Sequence, residues 1–411
     1  MLTACDWGAS TEASSIRVGF QDWILRLHPA IEQSVGPTYG AEHRVPATQR
    51  AGASASKLAL DAREGRCDWD LYVGMTPFQE MANLVQAEAI VPWDEYMPAN
   101  VVDDLHPAIR EESTFEGRLY GWPFLLDVIV QGWNAELVER AGLDPTTPPA
   151  TWDEYVEKAR TLQKSGAAPY GCSFDVRGWR SLVPIAFTYD TDVYTEDGLF
   201  DYTHDAAAQA LEVMRRMLEV ANPDILDPST TAGSGATTDE GAFASQLVGY
   251  YLKYTNALIR AANTWPDPSS LALSSIPAPI GGPGATLFWS TGLALTRHGG
   301  KKQEAAEYAE ALTYDRRLWR GSIGTGRQSS GQIPCYRSLW AEWRTERPSW
   351  VPEWAVNTFL ELRNGVAMRP HKLGNRQFTV AQPYLEQYLT GDETDARRVL
   401  RNALSAVRKE A

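Results

Sequence analysis

The first hundred residues alternate short apolar runs with longer segments of helical spacing. In the short runs apolar residues alternate along the chain, as they do in strands, whereas in the longer segments they recur every three or four positions, as in helices. Predicted strands lie at 16–20, 42–48 and 70–75, and predicted helices lie at 24–36, 57–65 and 78–90. Strands that alternate with helices predict an α/β domain with a mostly parallel sheet.

Polar residues follow two of these strands directly. Ligands of open α/β sheets bind beyond the carboxyl ends of the strands. This rule singles out the segments Gln21-Asp22-Trp23 and Met75-Thr76-Pro77 as candidate binding residues.

The rest of the chain gives a mixed pattern. Thr151 and Glu154 form a capping box at the start of one helix. A strand is predicted at 247–255, and a Gly/Pro-rich loop within 274–295 leads into another. Further helices are predicted at 205–221, 301–319 and 394–411. There is no internal repeat and no low-complexity tract.

Length and charge exclude several classes of protein. A chain of 411 residues is too long for one ordinary core and predicts two domains. No apolar run approaches the roughly 20 residues that span a bilayer. The net charge of -14 repels phosphate backbones and anionic lipid, which excludes nucleic acid as a partner and favours a neutral or cationic ligand. The 15 tryptophans suit stacking on sugar rings, although several are expected to be ordinary core residues.

The cysteines and histidines are too scattered for a metal or redox motif. The four cysteines include no CxxC pair, and the six histidines are isolated from them and from one another. We therefore expect neither a metal nor a cofactor. A disulfide between two of Cys67, Cys172 and Cys335 stays open, because sequence cannot choose the connectivity.

Enzyme motifs are missing. The glycine-rich segment 281–285 lacks the lysine and hydroxyl of a phosphate-binding loop, and 324–331 has the wrong spacing for a dinucleotide fingerprint. No GxSxG elbow or HExxH helix occurs. A pair of glycosidase carboxylates is a spatial feature, so a glycoside hydrolase remains an alternative.

Asp127 stands inside an extended apolar run, LLDVIV, within the segment 117–134. A carboxylate is costly to bury unless it is hydrogen-bonded or faces a cleft. From the residues alone, a carboxylate tied to backbone N–H groups and a ligand-binding carboxylate are equally good interpretations.

Several motifs in this order resemble one family. GRLYGWPF, GWN, AGL, PP and TWDEY, within 117–155, are similar to the signature of extracellular solute-binding proteins of carbohydrate ABC importers, the group that includes maltose-binding protein. The resemblance continues in DWDLYVG, LVQAEAIVPWDEY, KKQEAAEYAEALTYDRRLW and GQIPCYRSLW, and so covers nearly the whole chain.

The resemblance implies the α/β, two-lobed periplasmic-binding-protein fold (type II), with a ligand cleft between the lobes and hinge crossovers near 125–127, 286–288 and 321–331. The N-terminal lobe would comprise 14–125 with 286–325, and the C-terminal lobe 126–285 with 326–411. Residues 1–13 would form a disordered lipoprotein leader.

The resemblance also implies a set of ligand-binding residues. The family's binding positions follow its strands and crossovers, and a carboxylate six residues before the "YN" pair corresponds to Asp127 before Trp133-Asn134. The implied set is Gln21, Asp22, Trp23, Met75, Thr76, Asp127, Arg177, Trp179, Tyr251, Lys253, Tyr254, Asn256, Trp289 and Arg327.

Leu2-Thr3-Ala4-Cys5 resembles the lipobox at which bacterial lipoproteins are acylated, so Cys5 is the expected lipid anchor. The leading hypothesis is a non-enzymatic, monomeric protein outside the cytoplasm that captures a mono- or oligosaccharide and delivers it to an ABC permease. It would touch the membrane only through that anchor. The alternatives are a glycoside hydrolase and a sensor-associated sugar-binding protein.

Overall fold

The computed structural model describes residues 15–27, 47–50, 52–227, 238–323 and 329–411. The chain divides into two compact units. Unit 1 comprises Met1–Leu126, Ser290–Ser322 and Pro334–Arg347, and unit 2 comprises Asp127–Trp289, Ile323–Ile333 and Pro348–Ala411. The predicted residues Cys5 and Arg327, and the leader 1–13, lie outside the described residues.

Unit 1 is built on a sheet in the order β2-β1-β3-β11, covered by helices. Its elements are β1 (Ile16–Phe20), α1 (Asp22–Leu27), β2 (Ala47–Arg50), α2 (Ala55–Arg63), β3 (Leu71–Met75), a π-helical turn (Pro77–Met81), α3 (Ala82–Gln86), β4 (Ile90–Val91), α4 (Ala99–Val102), α5 (Pro107–Glu112), β5 (Thr114–Phe115), β6 (Arg118–Leu119), the start of β7 (Trp122–Asn134), the end of β11 (Thr286–Thr296), α12 (Lys302–Thr313), most of α13 (Arg316–Ile323) and α14 (Arg337–Glu346).

Unit 2 carries its own strands in the order β10-β7-β9-β8, packed between helices. Its elements are the rest of β7, α6 (Ala135–Arg140), α7 (Trp152–Ser165), β8 (Tyr170–Phe174), α8 (Leu182–Phe187), α9 (Asp205–Leu218), α10 (Asp239–Ala244), β9 (Val248–Tyr254), α11 (Thr255–Ala262), β10 (Leu271–Ser274), the start of β11, α15 (Glu353–Glu361), β13 (Gly365–Ala367), α16 (Arg376–Thr390) and α17 (Ala396–Glu410); β12 (Ile333–Pro334) ends at the boundary.

The sheets are mixed rather than mostly parallel. In unit 1, β1 pairs with β2 and β3 in parallel, as predicted, but β11 runs antiparallel to β3. In unit 2, β8 and β9 are parallel, whereas β7 is antiparallel to β9. Strand β7 begins in unit 1 and continues into unit 2, and β11 begins in unit 2 and continues into unit 1. The local alternation of strands and helices does not indicate the direction of such strands.

The predicted single helix over 301–319 is two helices, α12 and α13. The second begins after Asp315, whose Oδ1 accepts a hydrogen bond from Arg317 N at 2.8 Å and so caps a new first turn.

Residues 334–347 belong to unit 1, whereas the sequence placed everything from 326 onward in the second lobe. The Tyr336 ring lies 5.8 Å from that of Trp122 and 5.6 Å from that of Tyr314. Its hydroxyl donates to the carbonyl oxygen of Pro123 at 2.5 Å. Burial of this aromatic ring thus draws the segment into the core of unit 1.

Candidate binding site in unit 2

A cavity of about 560 Å³ lies within unit 2 at the carboxyl ends of β8 and β9. Residues of three segments, 175–180, 238–240 and 253–254, line it together with residues of α16. This volume and a mixture of charged, aromatic and amide side chains are typical of a site for a small polar ligand.

Local capping positions the acidic residues of the cavity. Thr238 Oγ1 accepts a hydrogen bond from Gly241 N at 2.9 Å and begins α10. Asp239 and Glu240 therefore fall in the first turn, where the helix dipole favours negative charge. Asp175 Oδ1 accepts from Arg177 N at 3.1 Å, which turns the chain sharply after β8.

Lys253, at the end of β9, organises the charges of the cavity. Its side chain is only 6% exposed, and Nζ lies 3.0 Å from Asp175 Oδ2 and also bonds Asp239 Oδ2. Burial opposes the ammonium charge, but the two carboxylates more than offset it and raise the pKa of Lys253. The same contacts hold the pKa of Asp239 below its usual range despite burial. Lys253 and Asp239 are therefore both charged at neutral pH.

Two side chains tie the 175–180 loop to α16. Arg177 Nε lies 3.2 Å from Glu386 Oε1, and its Nη2 donates to the carbonyl oxygen of Leu226 at 2.6 Å. Gln382 Oε1 accepts from Gly178 N at 2.7 Å. These bonds hold together two of the segments that line the cavity.

An aromatic group supports the cavity from behind. The Trp289 ring packs edge-on against Trp179 at 4.9 Å and against Tyr254 at 5.3 Å. Trp179 is 1% exposed, and the guanidinium of Arg180 lies 4.7 Å from the centre of its ring. Trp179 therefore serves as a platform for Arg180 rather than as an open stacking surface.

The structure brings together six of the residues that the resemblance implied. Arg177, Trp179, Lys253 and Tyr254 line the cavity. Trp289 contacts two of them, and Tyr251 donates its hydroxyl hydrogen bond to Asp239 Oδ2 at 2.9 Å from a fully buried position.

Asp127 and Asn256 do not line this cavity. Asp127 is 3% exposed, and its carboxylate accepts hydrogen bonds from Asn256 N at 3.2 Å and from Gln332 Nε2. Asn256 Nδ2 donates to the carbonyl oxygen of Ser330 at 2.6 Å. Burial raises the pKa of Asp127 to about 6. Of the two interpretations left open by the sequence, these contacts favour the carboxylate tied to N–H groups.

The substitution Asp127→Asn separates the two interpretations. We expect ligand affinity to stay within about threefold of wild type, and the free energy of unfolding at pH 8 to fall by about 1–3 kcal/mol, because an amide NH₂ would face the Gln332 amide. Calorimetry and thermal unfolding measure both quantities. A loss of affinity of about tenfold or more with unchanged stability would instead make Asp127 a ligand contact.

Unit 1 gathers a second set of the implied residues. Gln21 Oε1 accepts from Trp23 Nε1 at 2.6 Å, and Gln21 Nε2 donates to Glu80 Oε1 at 3.1 Å. Thr76 N donates to Glu80 Oε2 at 3.4 Å. Burial raises the pKa of Glu80 to about 7. Met75 is fully buried and presents no surface for a ligand.

Asp22, beside this cluster, is exposed, and its Oδ1 accepts a hydrogen bond from Gly52 N at 2.8 Å. Its carboxylate caps the backbone of a neighbouring turn.

The sequence analysis missed several residues that line the unit 2 cavity. Asp175 and Arg180 flank Arg177 and Trp179 beyond the end of β8, so the strand-end rule applied to β8 would have found them. Asp239 and Glu240 were indicated only weakly by the sequence, because two acidic residues after an N-cap threonine predict a helix start and not a binding site. The α16 residues were not indicated at all, because Gln382 is 204 positions from the glycine that it binds.

In the described parts of the chain, no three His, Cys, Asp or Glu side chains are grouped so as to hold a metal ion. Cys67, Cys172 and Cys335 are free thiols. No helix in the ranges that the structure describes is both long and apolar enough to cross a membrane.

Comparison with known proteins identifies the family. The model of the bacterial extracellular solute-binding proteins matches residues 39–315. A putative binding protein of Brucella abortus is 24% identical over 144 residues, 34% of this chain and 34% of that protein. An uncharacterized lipoprotein of Streptomyces antibioticus is 25% identical over 316 residues, 72% of this chain and 65% of its own. The matches thus span from one third to just under two thirds of these curated relatives.

Solved structures show the same fold. The maltotriose-binding protein of Thermus thermophilus, bound with maltotriose, superposes with a TM-score of 0.72 at 18% identity and covers 96% of this chain and 100% of its own. The predicted α/β two-lobed periplasmic-binding-protein fold is confirmed.

The chain belongs to the bacterial extracellular solute-binding proteins, because the family model matches well over half of it. The prediction of a binding protein rather than an enzyme is confirmed, and the family favours it over the glycoside hydrolase and sensor alternatives.

Proposed function

We propose that this protein captures a mono- or oligosaccharide outside the cytoplasm and delivers it to the membrane permease of an ABC importer. The observation that carries the proposal is the unit 2 cavity, which interleaves hydrogen-bond donors and acceptors around Lys253. The binding of maltotriose by the structurally similar Thermus protein supports a sugar as ligand.

The cavity has the chemistry that sugar hydroxyls require. Each hydroxyl both donates and accepts, and charged partners make the stronger of these bonds. Asp175, Asp239 and Glu240 supply acceptors, and Arg180 supplies donors. Tyr254 and Phe378 add ring surface for the C–H faces of a sugar.

Calorimetry with glucose, maltose, maltotriose, cellobiose and lactose tests the proposal, with an amino-acid mixture as the control. We expect one-site binding of at least one sugar and no heat from the amino acids. Binding of an amino acid but of no sugar would contradict the proposal.

We further propose that Cys5 carries a lipid and that the protein acts as a monomer. The lipobox-like Leu2-Thr3-Ala4-Cys5 and the lipoprotein relative of Streptomyces antibioticus support the anchor. Mass spectrometry of the protein purified from its host membranes tests it: an unmodified Cys5 thiol would contradict the anchor.

A further inference from the structure

Arg180 has hydrogen-bonding capacity that the protein leaves unused. Its nearest carboxylate oxygen, Asp175 Oδ2, lies 3.6 Å from Nη1, and no residue in the described ranges accepts a hydrogen bond from its side chain. Arg177, three positions earlier, instead bonds Glu386 and two backbone carbonyls. One arginine of this loop therefore holds the structure together, and the other presents a guanidinium to the cavity, its side chain 38% exposed.

The Trp179 ring fixes the position of that guanidinium. A planar cation on an aromatic face loses less freedom when it binds a ligand than a mobile side chain does. Its parallel N–H groups can then donate to two neighbouring oxygen atoms at once.

Helix α16 offers an acceptor among the residues of the cavity lining. Pro383 lies inside α16 and has no N–H, so the carbonyl of Thr379, one turn earlier, lacks its usual helix donor. Both residues line the cavity. A proline inside a helix costs stability, and here it leaves the backbone carbonyl of a residue that lines the cavity without its usual helix donor.

The remaining charges are balanced without a charged ligand. Glu240 pairs with Arg260 at 2.8 Å, Arg177 pairs with Glu386, and Lys253 lies between two carboxylates. Arg180 offsets the excess negative charge of that last group. Four cations, Arg177, Arg180, Lys253 and Arg260, thus face four anions, Asp175, Asp239, Glu240 and Glu386.

We propose that Arg180 is the residue that determines sugar specificity: its guanidinium donates to two adjacent oxygens of an uncharged sugar while the Thr379 carbonyl accepts from a hydroxyl of the same sugar. This inference rests on the proposed function. It adds a requirement for two neighbouring oxygens and a preference for a neutral sugar over its uronic-acid counterpart.

The test is calorimetry of wild type, Arg180→Lys, Arg180→Gln and Pro383→Ala with each sugar of the panel and with the uronic-acid counterpart of the tightest binder. Arg180→Lys keeps the charge but loses the planar pair of donors. We expect both Arg180 variants to bind at least about tenfold more weakly, with melting temperatures within about 2 °C of wild type. Pro383→Ala restores a helix donor to Thr379, so we expect a higher melting temperature together with weaker binding.

Arg369→Lys is the matched control. Arg369 also stacks on a ring, that of Tyr194 at 4.4 Å, but does not line the cavity, so its replacement should leave affinity unchanged. Wild-type affinity in both Arg180 variants, or tighter binding of the uronic acid, would overturn the inference and leave the proposed function intact. If wild type binds no sugar, the proposed function fails, and the inference fails with it.

Discussion

Replacing Lys253 by methionine is expected to destabilise unit 2 by about 3–5 kcal/mol, because the change leaves Asp175 and Asp239 as partly buried carboxylates without their ammonium partner. Tyr251 still donates to Asp239, and Arg180 lies 3.6 Å from Asp175, but neither side chain replaces the ammonium group that bridges the two carboxylates. Sugar binding should fall below detection, since both carboxylates line the cavity. Denaturant unfolding and calorimetry measure the two effects.

Lys57 provides a matched control for this experiment. Its ammonium also lies between two carboxylates, 2.5 Å from Asp61 Oδ2 and 2.8 Å from Asp68 Oδ2, but its side chain is 38% exposed. Asp61 is buried but keeps Arg66 Nη2 at 3.0 Å from its Oδ1, and the pair with Asp68 is exposed and screened by solvent. Lys57→Met should therefore cost no more than about 1 kcal/mol and leave binding unchanged. Equal losses of stability in the two variants would contradict the role given to Lys253.

Glu112→Gln is expected to make the protein more stable than wild type at pH 8 and above. Glu112 is 4% exposed, both its oxygens accept from Ser290 N at 3.0 Å, and burial raises the pKa of its carboxyl to about 8 from 4.5. Between these values the folded protein holds a proton that the unfolded chain has released. The free energy of unfolding of wild type therefore falls as pH rises from about 5 to 8, by roughly 4 kcal/mol in total. Above pH 8 the carboxyl is ionised in both states, so the effect of Glu112 on stability no longer changes with pH.

The readout is the difference in free energy of unfolding between Glu112→Gln and wild type across this pH range. We expect the difference to grow in favour of the variant by roughly 1.4 kcal/mol per pH unit. Glu111→Gln, the exposed neighbour on α5, should follow wild type throughout. Parallel stability curves for Glu112→Gln and wild type would show that the buried carboxyl is not protonated near neutrality.

Most of the secondary structure could be predicted from the sequence, because the periodicity of apolar residues reflects which face of an element is buried. It placed β1 and β3 within a residue of their observed bounds, and Thr151 caps α7 as predicted, accepting from Glu154 N at 3.2 Å. It did not give the direction of β11, since an antiparallel return from distant sequence leaves no local pattern.

The residues of the candidate site could be predicted from the sequence only where they follow a strand. The ends of β8 and β9 carry Arg177, Trp179, Lys253 and Tyr254, all implied by the resemblance. Asp127 shows the limit: its apolar neighbours indicated burial, but its partner Gln332 lies 205 positions away. A local pattern indicates that a carboxylate is buried without identifying the group that satisfies it.

The most direct test of the central claim is a crystal structure of the protein with the tightest-binding sugar of the panel. The account predicts the sugar in the unit 2 cavity, with oxygen atoms within hydrogen-bond distance of the Arg180 guanidinium and of at least one of Asp175, Asp239 and Glu240. A well-ordered sugar that contacts none of these four side chains would contradict it.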